Sequence, residues 1–396
     1  MPRTFPELGV EAPEITAEEL KRRLDSGERV TVLDTRRPEE FEAWRIEHPN
    51  VENVNVPFTE FLEGDGSKPD EQVPVREIPD GVPDGEVVTS CAVGVSSKYV
   101  ADLLRREGRP ALGLKDGMAG WARLYESREV ETADSARLLQ YHRPSSRCLS
   151  YMVVSEDEAV VVDPLRAFVE RYESDARETG ARVVAVADTH VHADHISGVR
   201  ELGDLTGADV VVPEGAEDRG LAYEFEYTTV GDGDRISFGG TALEAVALPG
   251  HTTEMTGYGL ENADILLTGD TVFLRSVARP DLEKGDEGVV EASRQLFDTL
   301  KRLRSMPEET LVAPGHVSGE DIVEDGVFTS TVGELLDTVP LFGVRDKEEF
   351  VESMSEGLPP RPANYRRIIS VNLGLSEADS EEAFELELGP NNCAVS

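Results

Sequence analysis

The stretch THVHADHISG, residues 189–198, decides the fold of the larger part of this 396-residue chain. It directly follows ARVVAVAD (residues 181–188), an apolar run typical of a buried strand, and a segment with helical apolar spacing comes after it. Its pattern H-x-H-x-D-H presents several imidazole and carboxylate donors from one short loop. Because a sheet holds the donors at the end of its strands, a metal ion meets a site that is already ordered. The stretch therefore predicts a metal-binding loop.

Three further segments each place a potential metal ligand at the end of a predicted strand. They are LPGHTTEM (248–255), LLTGD (266–270) and VAPGH (312–316). Together with the first loop they contain five of the seven histidines of the chain. Capping or core histidines would not be expected to recur in three such segments, with an aspartate at the end of a fourth. The candidate metal ligands are His190, His192, Asp194, His195, His251, Asp270 and His316.

The order H-x-H-x-D-H, P-G-H-T, T-G-D and P-G-H resembles the ligand pattern of the metallo-β-lactamase superfamily, from His190 to His316. The resemblance implies an αββα sandwich with the site at one edge. It also implies either a hydrolase with two Zn(II) ions per chain or an oxidative enzyme with one Fe(II) per chain. Thioester hydrolases of the glyoxalase II type and persulfide dioxygenases both retain all seven positions, so the pattern alone leaves this choice open.

The segment around and after Asp270 favours the dioxygenase. GDTVFLRSVARPDLEKG (residues 269–285) resembles the dioxygenase segment in which an arginine, here Arg279, and then Asp281 follow the metal-binding aspartate. The iron ligands of that subfamily correspond to His190, His251 and Asp270. Two histidines and one carboxylate form a facial triad, which leaves coordination positions open for O2 and for a sulfur atom.

The other four positions of the pattern have different roles in the two interpretations: His192, Asp194, His195 and His316. In the dioxygenase they orient the ligands or transfer protons, whereas in the hydrolase they complete a two-metal site that makes hydroxide near neutral pH. Arg279 is predicted to bind the carboxylate of a thiol carrier bidentately. Ser318 stands where glutathione-using dioxygenases have a tyrosine, so the identity of the thiol is left open.

Cys91 is the candidate nucleophile of the N-terminal part of the chain. It directly follows the predicted strand EVVTS (86–90) and precedes the loop AVGVSS (92–97) and the predicted helix KYVADLLRREG (98–108). Backbone N–H groups of such a loop can surround an anion, and a helix N-terminus lowers the pKa of a thiol. We therefore expect a nucleophilic thiolate at this position.

The N-terminal part resembles a rhodanese domain over residues 15–125. The segments that carry the resemblance are LDTRRPEEFEAWRIEHPNVENVNVP (33–57), the Cys91 loop and LKDGMAGW (114–121). The resemblance implies that Cys91 carries sulfane sulfur as a persulfide. Ala92 and Val95 are neutral where many rhodaneses have basic residues that bind thiosulfate. The sulfur donor and the direction of sulfur transfer are therefore left open.

The alternation of strands and helices in the N-terminal part predicts a parallel sheet covered by helices on both faces. The polar stretch REVETADSAR (128–137) lacks apolar periodicity and is the predicted site of the linker. The predicted organisation is an α/β rhodanese-like domain over 1–128, a linker over 129–137 and a metallo-β-lactamase domain over 138–396. The segment LPPRPANYRRIISVNLG (358–374) resembles the closing segment of fusions of these two domains, and we expect it to pack against the rim of the metal site.

The chain is strongly acidic, with 79 Asp and Glu against 39 Lys and Arg and a formal net charge of −40. The acidic residues are spread along the whole length, and lysine is rare. This composition is typical of a protein solvated in concentrated salt, where the Debye length falls to about 3 Å. We therefore expect the cytoplasm of a halophile. The charge argues against nucleic acid and anionic membranes as partners, and no apolar run is long enough to span a bilayer.

The sequence thus predicts an enzyme of sulfur metabolism. Its predicted reaction is the Fe(II)-dependent oxidation of a low-molecular-weight thiol persulfide by O2 to sulfite, coupled to sulfane-sulfur transfer at Cys91. The alternatives are a zinc thioester hydrolase of the glyoxalase II type and a non-catalytic sulfur carrier or metal-binding protein. The other two cysteines are predicted to be free thiols, with Cys148 in the core and Cys393 a packed or spectator residue. A homodimer is an option that the sequence leaves open.

Overall fold

The computed structural model describes residues 5, 8–62, 78–132, 136–317, 326–355, 358, 360–389 and 393. The chain forms two compact units, the first made mainly of residues 1–124 and the second mainly of residues 125–387, with Cys393 in the second. Ser318 lies outside the described residues. Among the described helices none is both long and apolar enough to cross a membrane.

The first unit is built on a parallel five-stranded sheet in the order β1-β5-β4-β2-β3. Its strands are β1 (Glu14–Ile15), β2 (Val30–Asp34), β3 (Val51–Asn55), β4 (Val87–Ser90) and β5 (Ala111–Leu114). Its helices are α1 (Ala17–Asp25), α2 (Pro38–Ala43), α3 (Val95–Arg106) and α4 (Gly117–Trp121). Buried residues of α3 pack on one face of the sheet, and those of α1 and α4 pack on the other. This is the predicted α/β arrangement with both faces covered.

The first helix shows how local sequence sets the boundaries of an element. Thr16 and Glu19 have the spacing of a capping box, and the Thr16 side chain accepts a hydrogen bond from Glu19 N at 3.2 Å. Leu20 and Leu24, four residues apart, form the buried stripe of the helix. The helix ends at Asp25, and Gly27, with φ +88°, lets the chain reverse toward β2.

The second unit contains two sheets that face each other. The seven-stranded sheet has the order β12-β11-β10-β9-β8-β7-β6 and the six-stranded sheet the order β13-β14-β15-β16-β17-β18. The strands of the first sheet are β6 (Glu126–Val130), β7 (Arg137–Arg143), β8 (Cys148–Ser155), β9 (Glu158–Val162), β10 (Arg182–Ala187), β11 (Asp209–Pro213) and β12 (Thr228–Val230). Those of the second are β13 (Arg235–Phe238), β14 (Thr241–Ala247), β15 (Thr256–Leu260), β16 (Ile265–Gly269), β17 (Leu311–Pro314) and β18 (Ser330–Thr331).

Helices lie on the outer faces of both sheets and at the edge beside the histidine-rich loop. They are α5 (Val169–Thr179), α6 (Val199–Thr206), α7 (Gly215–Asp218), α8 (Val289–Leu303), α9 (Val332–Thr338), α10 (Pro340–Gly343), α11 (Lys347–Ser355), α12 (Tyr365–Asn372) and α13 (Ser380–Leu386). One apolar cluster fills the space between the sheets, a second joins α5 and α6 to the seven-stranded sheet, and a third joins α8, α9 and α11 to the six-stranded sheet. The second unit is therefore an αββα sandwich, as the sequence predicts.

The sequence predicts a linker over residues 129–137, but in the structure the ends of two paired strands lie in this stretch. Its first two residues belong to β6 and its last begins β7, and the two strands pair antiparallel, with Glu129 opposite Leu139. The exposed pair Arg137–Glu129, at 2.9 Å, bridges them. Polar side chains here mark the solvent face of an edge hairpin, which explains the lack of apolar periodicity. Residues 133–135 lie outside the described part of the chain.

Candidate metal centre and reactive cysteine

The ends of four strands in the sandwich bring the predicted ligands to one edge. The histidine-rich loop follows β10, His251 lies between β14 and β15, Asp270 follows β16 and His316 follows β17. All seven predicted ligands are buried. Gly315 allows the chain after β17 to pass close to Asp270, because a Cβ at position 315 would lie 2.5 Å from Asp270 Oδ1. The P-G-H motif therefore needs its glycine for packing against the neighbouring ligand strand.

His190, His251 and Asp270 form one group of donor atoms, all within 4.8 Å of one another. Asp270 Oδ2 lies 4.0 Å from His190 Nε2 and 3.8 Å from His251 Nε2. Among the described residues none of these three atoms has a hydrogen-bond partner. Buried polar atoms are rarely left without a partner. Three of them converging on one point fit a metal ion that takes two imidazoles and a carboxylate.

Hydrogen bonds at Nδ1 of His190 and of His251 fix the orientation of the two imidazole rings. The His251 Nδ1–H donates to the carbonyl of Arg279 at 2.9 Å. His190 Nδ1 lies 2.9 Å from Thr189 Oγ1, whose hydroxyl donates in turn to Asp163. Both Nε2 atoms therefore carry lone pairs. Burial lowers the pKa of His251, and burial with neighbouring histidines lowers that of His190 well below its ordinary value. Both rings are thus in the neutral form that binds metal.

A second group consists of Cys148, Asp194, His195 and His316, again within 4.8 Å of one another. His316 lies between two carboxylates, with Nδ1 2.5 Å from Asp270 Oδ1 and Nε2 3.0 Å from Asp194 Oδ2. Burial acts to lower the pKa of His316, but the charges of these two carboxylates outweigh it and raise the pKa well above its ordinary value. His316 thus connects the second group to the first through Asp270.

His192 is placed differently from the other six predicted ligands. Its Nε2 lies 3.1 Å from Asp163 Oδ1 and 3.6 Å from Asp188 Oδ1, and these three residues form a group of their own. Burial and the nearby His195 act to lower the pKa of His192, but Asp163 outweighs them and raises it to about 9. In the described part of the chain its Nδ1 has no partner. This arrangement fits a role in orienting the loop better than one as a fourth ligand of the triad.

In the first unit, Cys91 lies at the end of β4, directly before the loop that leads into α3. Its Sγ accepts a hydrogen bond from Ser97 Oγ at 3.3 Å. Burial acts to raise the pKa of Cys91, but the hydroxyls of Ser96 and Ser97 and backbone N–H groups outweigh it, so the pKa lies below its ordinary value. Gly94 has φ +82° and lets the loop pass close to Asp116. A Cβ at position 94 would lie only 2.9 Å from the backbone N of Asp116. The loop and the first turn of α3 therefore hold the sulfur among donors that favour a thiolate.

Family comparisons agree with this division of the chain. Residues 144–316 match the model of the metallo-beta-lactamase superfamily, and residues 16–124 match that of the rhodanese-like domain. The chain joins a rhodanese-like domain to a metallo-β-lactamase domain.

Individual relatives of the metallo-β-lactamase domain include proteins of two activities. The mouse mitochondrial persulfide dioxygenase ETHE1 is 28% identical over 240 residues, which is 60% of this chain and 87% of that protein. The crystal structure of ETHE1 from Myxococcus xanthus is 27% identical with a TM-score of 0.51, and the match covers 64% of this chain and 100% of that chain. A hydroxyacylglutathione hydrolase of Rhodospirillum rubrum is 31% identical over 156 residues, 39% of this chain and 56% of that protein.

Arg279 of the metallo-β-lactamase domain is fully buried, and its guanidinium is committed within the protein. Nε and Nη2 donate to the two oxygens of Asp281 at 2.7 and 3.0 Å, and Nη1 donates to the carbonyl of Pro360 at 3.1 Å. Its role in binding a substrate carboxylate stays a prediction. The structure gives Arg279 a further role, in which its backbone carbonyl orients the ring of His251.

The closing segment of the metallo-β-lactamase domain lies against the histidine-rich loop. Asn372, the last residue of α12, donates to the carbonyls of His192 at 3.0 Å and His195 at 2.8 Å, and accepts from Ser197 N at 3.0 Å. Beyond that segment, Glu387 at the end of α13 accepts from Ile196 N at 2.8 Å and pairs with the buried Arg143 at 2.5 Å. Sequence patterns predict that the segment packs at the rim but do not single out these two side chains.

Two cysteines lie at the metal site although the sequence does not predict a role for them there. Cys148, expected in the core, is the first residue of β8 and belongs to the second donor group. Cys393, expected to be packed or a spectator, is buried and lies within 4.8 Å of donor atoms of Asp194, Asp270 and His316. On its other side Cys393 packs with the apolar residues Phe273 and Leu282. Burial raises the pKa of Cys393 well above its ordinary value.

Proposed function

We propose that the metallo-β-lactamase domain oxidises the outer sulfur of a low-molecular-weight thiol persulfide to sulfite, with Fe(II) held by His190, His251 and Asp270. The observation that carries the proposal is the convergence of three buried donor atoms that have no hydrogen-bond partner within the described part of the chain. They belong to two histidines and one carboxylate, the set of a facial triad. The relatives named persulfide dioxygenase support the choice of substrate.

The reaction balances as R–S–SH + O2 + H2O → R–SH + sulfite + 2 H⁺. The four electrons that reduce O2 come from the outer sulfur, so no external reductant is needed. An iron(II) ion held by His190, His251 and Asp270 would supply open coordination positions for O2 and for the sulfur of the substrate.

The protein's own residues position these reactants and manage protons. Thr189 and the Arg279 carbonyl hold the two imidazoles in the orientation that leaves Nε2 free. His316, hydrogen-bonded to Asp270, places a proton store beside the triad carboxylate. Burial of every ligand excludes bulk water, which strengthens the electrostatic interactions within the site.

We further propose that Cys91 of the rhodanese-like domain carries sulfane sulfur as a persulfide. The lowered pKa of Cys91 and the surrounding hydroxyl and N–H donors support this role, because the thiolate is the nucleophile in sulfur transfer. Fusing the two domains raises the effective concentration of one site at the other. A halophile's cytoplasm is proposed on the net charge alone.

A second candidate function is that of a zinc thioester hydrolase. The second donor group, together with the similarity to hydroxyacylglutathione hydrolase, favours it, since two-metal sites activate water for hydrolysis. A parallel assay separates the two candidates. Iron-loaded and zinc-loaded protein are each given a thiol persulfide and a thioester of the same thiol, with His251→Ala as the inactive control.

Iron-dependent oxygen uptake with sulfite as product, and no thioester cleavage, is the expected result. Thioester cleavage by the zinc form, without oxygen uptake by the iron form, would assign the chain to the hydrolases. Metal content is measured on the same samples, so that a negative result with unloaded protein is not counted.

A further inference from the structure

A cavity of about 420 Å³ lies beside the Cys91 loop, and its described lining belongs entirely to the rhodanese-like domain. Val93, Gly94 and Val95 of the loop form part of that lining. Val93 is 60% and Val95 53% exposed, although valine is usually buried. The volume falls within the range of about 300–1,000 Å³ of pockets that bind small molecules. The loop therefore borders a space that a small molecule can fill, and its own side chains there are uncharged.

Three carboxylates line the same cavity and give it a negative character. They belong to Glu14, Asp102 and Asp116. The lining also includes Lys98, whose Nζ lies 3.5 Å from Asp102 Oδ1 and 3.5 Å from Glu11 Oε1, so this ammonium group is already paired with two carboxylates. A concave site lined by one sign of charge attracts ligands of the opposite sign. The cavity therefore favours a cationic ligand over a dianion such as thiosulfate.

A buried hydroxyl group in the same lining also points to a ligand. Tyr99 lines the cavity and is only 4% exposed, and its hydroxyl has no hydrogen-bond partner in the described ranges of the chain. Buried polar groups are rarely left without a partner. A polar molecule in the cavity can supply one, because the phenolic hydroxyl both donates and accepts.

The segment that leads into α4 holds the acidic lining close to the nucleophile. Met118 N donates to the carbonyl of Cys91 at 2.8 Å, and Ala119 N donates to the carbonyl of Ala92 at 2.9 Å. Asp116 precedes this pair by two residues and lies against Gly94 of the loop. The carboxylate of Asp116 and the sulfur of Cys91 are therefore carried by two segments that are hydrogen-bonded to each other.

We propose that this cavity binds the thiol carrier that exchanges sulfane sulfur with Cys91, and that the carrier is a small aminothiol whose ammonium group pairs with the carboxylates of Asp116 and Glu14. The inference rests on the proposed persulfide role of Cys91 and specifies the class of its partner. The Cys91 thiolate attacks the outer sulfur of R–S–SH, an S–S bond to Cys91 forms as the S–S bond of the donor breaks, and R–S⁻ leaves. One thiolate enters and one leaves, so no oxidant or reductant is needed.

Three persulfides of similar size and different charge are the probes: those of cysteamine (cationic), 2-mercaptoethanol (neutral) and 3-mercaptopropionate (anionic). Each is given to the full chain without O2, so that no oxidation takes place, and the persulfide formed on Cys91 is measured by alkylation and mass spectrometry. Each rate is divided by the rate at which the same persulfide transfers sulfur to a small uncharged thiol, because the leaving thiols differ in pKa. We expect the cationic probe to exceed the anionic one by about tenfold, since one exposed ion pair gives up to about 5-fold and more than one carboxylate contributes.

Substitution of the lining carboxylates tests where this preference arises. Asp116→Asn and Glu14→Gln should each reduce it by about 2- to 5-fold. Asparagine tolerates the left-handed backbone at position 116, where φ is +57°, so the first variant keeps the fold. The matched control is Glu28→Gln, which should leave the preference unchanged. Glu28 lies two residues before the start of β2, whereas Cys91 follows the end of the parallel strand β4.

The possible outcomes separate this inference from the sulfur transfer on which it rests. Equal normalised rates for the three probes, or a faster anionic probe, overturn the aminothiol assignment while leaving Cys91 as a persulfide carrier, and this comparison needs no variant. A cationic preference that survives both substitutions overturns the assignment of the cavity. If no probe places sulfur on Cys91, with Cys91→Ser as the blank, the proposed sulfur transfer fails together with the inference.

Discussion

The Asp270 carboxylate faces both donor groups at once. Its Oδ2 points toward His190 and His251, while its Oδ1 interacts with His316 at 2.5 Å. We predict that Asp270→Ala abolishes iron binding and oxygen uptake, because the triad loses its carboxylate and a buried imidazole loses its partner. Iron content after anaerobic loading, with oxygen consumption on the same sample, measures this. Asp270→Asn, of equal size, is the control for packing, and an iron-replete, active alanine variant would refute the ligand assignment.

The hydroxyl groups that donate hydrogen bonds to Cys91 lower the pKa of its thiol. Burial acts to raise the pKa of Cys91, and Ser96 and Ser97 counteract it. Removing the 3.3 Å hydrogen bond with Ser97→Ala should therefore raise the pKa, so that less thiolate is present at neutral pH. The pH dependence of alkylation of Cys91 should shift to higher pH. Cys91→Ser identifies the signal, and an unchanged profile would show that the serine does not control the thiolate.

At the scale of elements, the hydrogen bonds from α12 to the histidine-rich loop come from the side chain of Asn372. Asn372 makes three hydrogen bonds to the backbone of that loop. Asn372→Ala leaves buried backbone groups unpaired, at a cost of about 1–3 kcal/mol of folding free energy for each group. We predict a loss of metal affinity of roughly 10–100-fold, measured by competition with a chelator. The matched control is Asn364→Ala, which removes a contact to Leu386 O from the start of the same helix and should leave affinity unchanged.

Local sequence predicts the elements and the ligands that follow strands, but not the side chains that arrive from distant segments. The loop after β10, Asp270 and His316 could be placed because each directly follows an apolar strand. Cys148 could not, because its position depends on the pairing of the start of β8 with His316. Asn372 contacts a carbonyl 180 positions away. Such contacts follow from the closed sandwich, and no periodicity in the chain encodes them.

The net charge of −40 is a property of the whole molecule, and it makes stability depend on salt. Self-repulsion destabilises the compact state, and screening shortens from about 10 Å to about 3 Å as ionic strength rises from roughly 0.1 M to roughly 1 M. We predict that the thermal midpoint rises over this range of KCl. Exposed ion pairs such as Lys21–Asp25 weaken in salt but contribute little. A midpoint that falls with salt would show that attractive pairs dominate over repulsion.

The two domains are predicted to divide the chemistry between them. In the proposed function, oxidation uses the triad of the metallo-β-lactamase domain, and Cys91 of the rhodanese-like domain acts only in sulfur transfer. Cys91→Ser should therefore oxidise a preformed small-molecule persulfide at the wild-type rate. Loss of that activity in a folded, iron-loaded variant would mean that the roles are not separate.

The most direct test is to measure oxygen consumed and sulfite formed in one vessel, with the iron-loaded chain, a low-molecular-weight thiol persulfide and concentrated salt. The account predicts equal amounts of oxygen consumed and sulfite formed, for wild type and Cys91→Ser alike, and neither with His251→Ala. No oxygen uptake by iron-loaded wild type, or uptake without sulfite, would contradict it.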